Sequence, residues 1–189
     1  VFVSTNNGNN WNIANQGLPY FSMDVFAVQD STIFAGGIGI YKTTNYGNSW
    51  VNAGILDNAD IRSVSVSGNN IVAGGINCGV LLSTNGSTSW TNISNSIPSA
   101  SILSVSIEAS KIFAGTSKIG IYRSSNYGAN WNSVNNGISS FNVSDIIMNN
   151  ENIFVGTSGG LFKSSNNGLN WANVPVVFNN EIINDVALY

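Results

Sequence analysis

Hydrophobic positions fall in short runs separated by Asn, Ser and Gly, and the runs repeat along the chain. Four of them share the order β-branched residue, apolar residue, small apolar residue and Gly: residues 33–36, 71–74, 112–115 and 153–156. Runs of this kind, bounded by turn-forming residues, predict β-strands. No segment has the 3.6-residue apolar period of a helix, so we predict strands and no helices.

A phrase ending in tryptophan recurs five times at intervals of 39 to 41 residues. Its first copy is Ser4-Thr-Asn-Asn-Gly-Asn-Asn-Trp11. The shared Asn, Gly and Trp positions are Asn6, Gly8, Trp11, Asn45, Gly47, Trp50, Asn85, Gly86, Trp90, Asn126, Gly128, Trp131, Asn166, Gly168 and Trp171. In the third copy the glycine, Gly86, stands one place early. Asn followed by Gly favours a turn, and the Trp anchors it by burial.

Four short strands in each period of about 40 residues are typical of a β-propeller blade. We predict an all-β fold, a single β-propeller domain over 1–189 with four-stranded antiparallel blades. One blade is shared by residues 1–17 and 182–189, and the others are 18–56, 57–97, 98–138 and 139–181. The predicted ring has five blades and is closed by pairing of N-terminal and C-terminal strands.

The shared blade lacks its second strand, which we expect just before Val1. Two alternatives stay open: the chain is a piece of a larger propeller, or a neighbouring molecule donates the strand.

The repeated phrase resembles the Asp-box, or BNR repeat, with the pattern Ser/Thr-x-Asp-x-Gly-x-x-Trp. That family includes propellers of sialidases, of some endoglucanases acting on plant polysaccharides, of sortilins and of secreted bacterial proteins. The resemblance implies a propeller that is secreted or at the cell surface, and it says little about activity. Asn stands at each Asp position, so the acceptor oxygen is kept and the charge is lost.

Composition excludes several functions. Only 8% of residues are charged, the net charge is −3, and there is no His and a single Cys. Six Lys and Arg residues form no nucleic-acid surface, and no apolar stretch could span a membrane. Without His and with one Cys, neither a His/Cys zinc site nor a Ser-His-Asp triad can be built. We expect no cofactor and no metal. A sialidase-like arginine triad is excluded too, since Arg62 and Arg123 are the only arginines.

Five residues occupy one repeat position at the head of the innermost strand. They are Asp24, Ser63, Ser104, Asp145 and Asp185. In a closed ring they would surround the central channel, where their oxygens could bind a cation or ordered water. We favour the alternative that each one bonds the backbone of a neighbouring blade.

Aromatic residues in the loops between blades are candidate ligand contacts: Tyr20, Phe21, Phe141 and Phe178. Such rings either stack on sugars or fill gaps between blades. Three cations at one repeat position, Lys42, Arg123 and Lys163, either meet an anionic glycan or cover neighbouring rings with their stems. We expect the unpaired Cys78 to be inert.

The sequence therefore predicts a non-catalytic, secreted or cell-surface module for binding, adhesion or scaffolding. Its partner would be a glycan, an extracellular protein or another copy of the chain, since low charge gives little repulsion between copies. The alternatives are a lectin-like propeller, a subunit of a self-assembling extracellular fibre, and a polysaccharide hydrolase using two carboxylates, such as Asp57 and Asp60.

Overall fold

The computed structural model describes residues 1–19, 22–54, 59–150, 152–175 and 182–187. This part of the chain forms strands and contains no helix, as the apolar pattern predicts. The strands are β1 (Phe2–Val3), β2 (Asn12–Ile13), β3 (Met23–Gln29), β4 (Thr32–Gly37), β5 (Gly39–Thr43), β6 (Val51–Gly54), β7 (Asp60–Ser67), β8 (Asn70–Ile76), β9 (Gly79–Ser83), β10 (Thr91–Asn92), β11 (Ile102–Glu108), β12 (Lys111–Thr116), β13 (Ile121–Ser124), β14 (Asn132–Ser133), β15 (Val143–Asn149), β16 (Asn152–Thr157), β17 (Gly160–Ser164) and β18 (Ala172–Asn173). Among the described residues, no helix of membrane-spanning length and apolarity is found.

The strands form one two-stranded sheet and four four-stranded antiparallel sheets. The first sheet is β1–β2, and the second to fifth sheets are β3–β6, β7–β10, β11–β14 and β15–β18. Within each four-stranded sheet, consecutive strands are neighbours. The prediction of four-stranded antiparallel blades is thereby confirmed for these four sheets.

Strand alternation gives each sheet two distinct ends. The turns from first to second strand and from third to fourth strand lie at one end, which we call the motif end because it carries the repeated phrase. The turns from second to third strand, and the connections to the next sheet, lie at the opposite end, which we call the loop end. Loops that are distant in sequence are therefore gathered at one end.

Apolar side chains fill the space between neighbouring sheets. Between the third and fourth sheets, Val72 and Leu82 pack against Val105, Ile107 and the Trp131 ring. Similar clusters lie between the second and third sheets and between the fourth and fifth. The core is therefore divided into layers, each one shared by two sheets.

Alternate serines connect two inner strands. Val105 N–H donates to Ser63 Oγ at 3.0 Å, Ile107 N–H to Ser65 Oγ at 3.1 Å, and Ala109 N–H to Ser67 Oγ at 3.3 Å. The constant offset shows that β7 and β11 run parallel. The serines satisfy main-chain donors that the edge of β11 would otherwise leave without partners.

Residues 182–187 lie against β15. Ile183 N–H donates to Thr157 O at 3.1 Å, and Val186 N–H donates to Asp145 Oδ2 at 2.9 Å. This segment occupies the place of a further innermost strand, although it is not itself a strand. Pairing between it and β1 is absent from the described residues, so closure of the ring stays a prediction.

Candidate functional site

The repeated phrase forms the same hydrogen-bonded turn in all five copies. The Ser or Thr hydroxyl donates to the Asn Oδ1 at 2.7 to 3.0 Å, and it accepts the N–H four residues later at 2.8 to 3.1 Å. The Asn Oδ1 also accepts an N–H four residues later, at 2.9 to 3.0 Å. An amide oxygen is sufficient for these bonds, so the turn forms without the carboxylate of the Asp-box pattern.

The third copy shows why its glycine can move. Each turn has two consecutive residues with positive φ, such as Tyr127 at 55° followed by Gly128 at 82°. In the third copy Gly86 takes the first of these places, at 65°, and Ser87 takes the second, at 73°. The backbone path is therefore kept, and a left-handed conformation is imposed on a serine.

Four of the five repeated tryptophans join neighbouring sheets. The indole N–H donates to a carbonyl of the preceding sheet at 2.6 to 2.9 Å, in the pairs Trp50–Ala14, Trp90–Ala53, Trp131–Ile93 and Trp171–Val134. Trp11 donates instead to Gly8 O within its own turn, and its side chain is exposed.

The repeat position at the start of the innermost strand, which we predicted to face the central channel, is occupied by Val25, Ser63, Ser104 and Asp145. Each of them pairs with a glycine of the second strand, and Val25 pairs with Gly36 as Ser63 pairs with Gly74. The assignment of Asp24 to this position was therefore wrong by one residue. Ser104 Oγ accepts Ile146 N–H at 2.9 Å, as Ser63 accepts Val105 N–H, so these side chains bond the next inner strand.

Asp145 is the most strongly held member of this set. Its carboxylate accepts Ser104 Oγ–H at 3.0 Å, Ile146 N–H at 2.8 Å and Val186 N–H at 2.9 Å. Burial raises the pKa of Asp145 above its ordinary value, and a hydrogen bond shared with Asp185 raises it further. The three donors act in the opposite direction without overcoming burial.

The inner strands and residues 184–186 line a central cavity of 520 Å³. At its wall, Arg62 lies 2.6 Å from Asp60 and 4.0 Å from Asp24, so part of the acidic charge is paired. No group of three acidic, Cys or His side chains suited to a metal ion is found within the described ranges.

The three cations of the repeat reach toward neighbouring turns and rings. Lys42 donates to Gly86 O at 3.1 Å, and Arg123 donates to Asn167 O at 2.7 Å. Lys163 Nζ lies 5.4 Å from the centroid of the Phe154 ring. The charged group of each of these three side chains therefore has a partner within the protein.

Of the candidate ligand loops, Tyr20, Phe21 and Phe178 lie outside the described residues, as does Asp57. Phe141 is exposed, and its carbonyl accepts Gly120 N–H at 3.0 Å. This bond fixes the Phe141 backbone beside the loop that leads from β12 to β13.

A groove opens at the loop end between the third and fourth sheets. It has a volume of 590 Å³, and we call it the loop-end groove. Its lining residues are 77–79, 92, 94, 97–102 and 117–119. Its polar side chains are neutral except for that of Lys118. Ile97, Pro98, Ile102 and Ile119 provide apolar surface.

One side of the groove is held rigidly. Asn92 Nδ2 donates to Cys78 O at 2.8 Å, and Ser94 Oγ accepts Val80 N–H at 2.8 Å while donating to Asn92 Oδ1 at 2.7 Å. Four other lining side chains have no hydrogen-bond partner within the described part of the chain: Asn77, Ser99, Ser101 and Ser117. The groove therefore combines a fixed wall with polar groups that are available to a ligand.

Cys78 lies in this groove with its thiol half-buried. Burial and the nearby carboxylate of Asp60 raise the pKa of Cys78 to about 11. The thiol is consequently neutral near pH 7 and a weak nucleophile.

The loop-end groove was not identified in the sequence. Its residues come from three separate segments, and Asn and Ser are common throughout this chain. Strand alternation was the available signal, because it places the turns at 77–79 and 117–119 and the connection at 93–101 at one end.

No protein-family model and no curated protein matches the chain. Among solved structures, an ancestral GH74 enzyme is similar, with a TM-score of 0.70, 25% identity, and coverage of 86% of this chain and 25% of its own. The extracellular domain of BT4673 from B. thetaiotaomicron gives a TM-score of 0.67 and 17% identity, covering 89% of this chain and 24% of its own.

YCF48 bound to D1 peptide gives a TM-score of 0.66 and 16% identity, covering 83% of this chain and 56% of its own. The chain therefore spans between 24% and 56% of the length of these three structures. Together with the sheets described above, these similarities show that the chain has the β-propeller fold.

Proposed function

We propose that the chain is a non-catalytic extracellular module that binds a neutral glycan in the loop-end groove. The observation that supports this most directly is the groove itself, which has a volume of 590 Å³ and whose polar lining consists mainly of neutral hydroxyl and amide groups. Four of these side chains lack a protein partner among the described residues, so they can donate to and accept from sugar hydroxyls.

The rest of the groove matches the same ligand. Ile97 and Ile119 offer apolar contact to the C–H faces of sugar rings, and Lys118 contributes a single charge. Because Asn92 and Ser94 are already fixed by hydrogen bonds, little ordering is required of them on binding. The exposed Phe141 lies beyond the loop containing Ile119 and extends the surface available to a longer chain.

Binding without hydrolysis is proposed because the described lining of the groove includes no carboxylate. Glycoside hydrolysis generally requires two carboxyl groups about 5 to 10 Å apart across the scissile bond. Asp145 and Asp185 are neighbours, but they lie in the central cavity, and Asp145 is engaged by three donors. The similarity to a GH74 enzyme thus supports a glycan as ligand without requiring a reaction.

The proposal includes a five-bladed ring in an extracellular protein. Five copies of the turn and five inner segments around one cavity support the blade number. The resemblance to secreted Asp-box propellers, and an extracellular domain among the similar structures, support the location.

The test uses a panel of soluble neutral polysaccharides, with binding measured by affinity electrophoresis and isothermal calorimetry. The groove variant is the double substitution Asn77→Ala with Ser117→Ala. The matched control is Asn48→Ala with Ser125→Ala, which removes one exposed Asn and one exposed Ser at the motif end. Loss of two hydrogen bonds should weaken binding about tenfold or more in the groove variant and leave the control unchanged.

Three results would contradict the proposal. Failure of every neutral polysaccharide to bind would exclude the ligand class. Equal affinity of the groove and control variants would place the site elsewhere. Release of new reducing ends during incubation would show that the chain is a hydrolase.

A further inference from the structure

A second polar pocket opens at the motif end, between the second and third sheets, and has a volume of 220 Å³. Both of these sheets have four paired strands, so the pocket lies between two complete sheets. We call it the motif-end pocket, and its lining includes Gln29, Asp30, Lys42, Gly68, Asn69 and Gly86. It is at the opposite end of the sheets from the loop-end groove, so the two sites can be altered separately.

Two glycines leave this space open. A Cβ added to Gly68 or to Gly86 would meet no atom within 4 Å beyond its chain neighbours. Ala109 and Asn150 are the counterparts of Gly68 in the fourth and fifth sheets, and Tyr127 is the counterpart of Gly86 in the fourth. All five residues have a positive φ, between 51° and 65°. The same backbone conformation therefore carries a side chain in the other sheets and none here.

At the same place between the other sheets, protein groups bond one another across the interface. Between the third and fourth sheets, Ala109 N–H donates to Ser67 Oγ at 3.3 Å. Between the fourth and fifth sheets, Asn150 N–H donates to Glu108 Oε1 at 3.2 Å. Glu108 is also paired with Lys111 at 3.1 Å. The main-chain donor at this position therefore has a side-chain partner from the preceding sheet in both cases.

The corresponding groups of the motif-end pocket are left without protein partners. Gln29 pairs with Thr32 as Glu108 pairs with Lys111, so Gln29 is the counterpart of Glu108. Within the described ranges, however, neither the Gln29 side chain nor the Gly68 N–H forms a hydrogen bond. The pocket therefore presents a main-chain donor and an amide side chain that are available to a ligand.

Two opposite charges border the pocket. The Lys42 ammonium donates to Gly86 O at 3.1 Å and to Ser87 Oγ at 2.9 Å, which fixes its position. An ammonium has three N–H donors, so one of them remains for a ligand. Asp30 is exposed, and it forms no ion pair within the described part of the chain. The pocket therefore offers one held cation and one accessible carboxylate.

We propose that the motif-end pocket binds a small zwitterion of the free α-amino acid class. The ligand carboxylate accepts from Lys42 Nζ and Gly68 N–H, and the ligand ammonium donates to the Asp30 carboxylate. The pocket has the volume of about seven liquid water molecules, which is similar to the number of non-hydrogen atoms in a small amino acid. A ligand with only one charge would leave Lys42 or Asp30 without its counterpart or beside a like charge.

The probes are glycine, L-alanine and L-serine, titrated separately into the unaltered chain and followed by ¹H–¹⁵N NMR. At least one of them should give saturable shift changes at the amides of Gly68 and Asn69. Two analogues with one charge each, propionate and L-alaninamide, should bind about tenfold more weakly or worse than L-alanine. Each analogue lacks one of the two charge-assisted contacts.

Protein variants give an independent comparison. Lys42→Gln should weaken amino acid binding about tenfold, whereas the matched control Lys163→Gln, at the same repeat position in the fifth sheet, should not. Gly68→Asn should also weaken binding because its side chain enters the pocket, and its fold should be kept since Asn150 has the same conformation in the fifth sheet.

The comparison of L-alanine with its two analogues needs only the unaltered protein, so it holds even if a variant unfolds. Absence of saturable binding by all three amino acids would overturn the proposal. Equal affinity for L-alanine and both analogues would do the same, as would shift changes confined to the loop-end groove. Unchanged binding in a folded Lys42→Gln variant would also contradict it.

Discussion

The indole N–H of Trp131 donates a hydrogen bond of 2.6 Å to the main-chain carbonyl of Ile93, which lies in the preceding sheet. The hydroxyl, Asn and Gly positions hold the turn itself, and the Trp then joins that turn to its neighbour. The repeated phrase therefore stabilises the structure in two ways: it holds the turn within one sheet, and it joins that sheet to the preceding one. Trp11, whose indole N–H donates to Gly8 O within its own turn, acts only in the first way.

We expect Trp131→Phe to lower the free energy of unfolding by about 1 to 3 kcal/mol, because the buried Ile93 carbonyl loses its donor. Trp11→Phe should change it by less than about 0.5 kcal/mol, since Trp11 is 62% exposed and Trp131 is 7% exposed. Urea denaturation of both variants provides the comparison. Equal losses would mean that Trp131 stabilises the fold only within its own turn.

A second prediction concerns the serines between inner strands. Ser65→Ala removes the acceptor of Ile107 N–H and should cost about 1 to 3 kcal/mol. The control Ser125→Ala, at an exposed serine in a repeated turn, should be nearly neutral. Hydrogen exchange should accelerate at Ile107 in Ser65→Ala and not in the control. Unchanged exchange at Ile107 would contradict the role assigned to Ser65.

The strands and turns followed from the sequence because their determinants are local and repeated five times. The position of Asp24 did not, because alignment by residue type selects the polar Asp24, whereas the strand register places the apolar Val25 opposite Gly36. A shift of one residue places a side chain on the opposite face of a strand. The loop-end groove was missed for a different reason: it is made of common residues that are brought together only by the packing of two sheets.

The pair Asp145 and Asp185 predicts a pH dependence. Because the folded-state pKa of Asp145 is raised, its contribution favours folding below the ordinary Asp pKa and is lost as pH rises through the raised value. Asp185→Asn replaces the second carboxyl with an amide that can donate to Asp145. The decrease in unfolding free energy from pH 4 to pH 7 should therefore be smaller in Asp185→Asn than in the unaltered chain.

Urea denaturation across this pH range measures the effect. Asp30→Asn is the matched control, since it removes one exposed carboxyl from the turn between β3 and β4. Its pH dependence should follow that of the unaltered chain. If Asp185→Asn and Asp30→Asn behave alike, the shift reflects overall charge and not contact with Asp145.

The thiol of Cys78 provides the last prediction. With a pKa of about 11, only a minute fraction is thiolate at pH 8, so alkylation by iodoacetamide should be slower in the folded chain than in urea. The folded-state rate should increase about tenfold per pH unit and level off near pH 11. Because the raised pKa favours the neutral thiol, its contribution to stability is present below the ordinary thiol pKa and is lost at higher pH. Equal rates at pH 8 in the folded and unfolded chains would contradict the burial of this thiol in the groove wall.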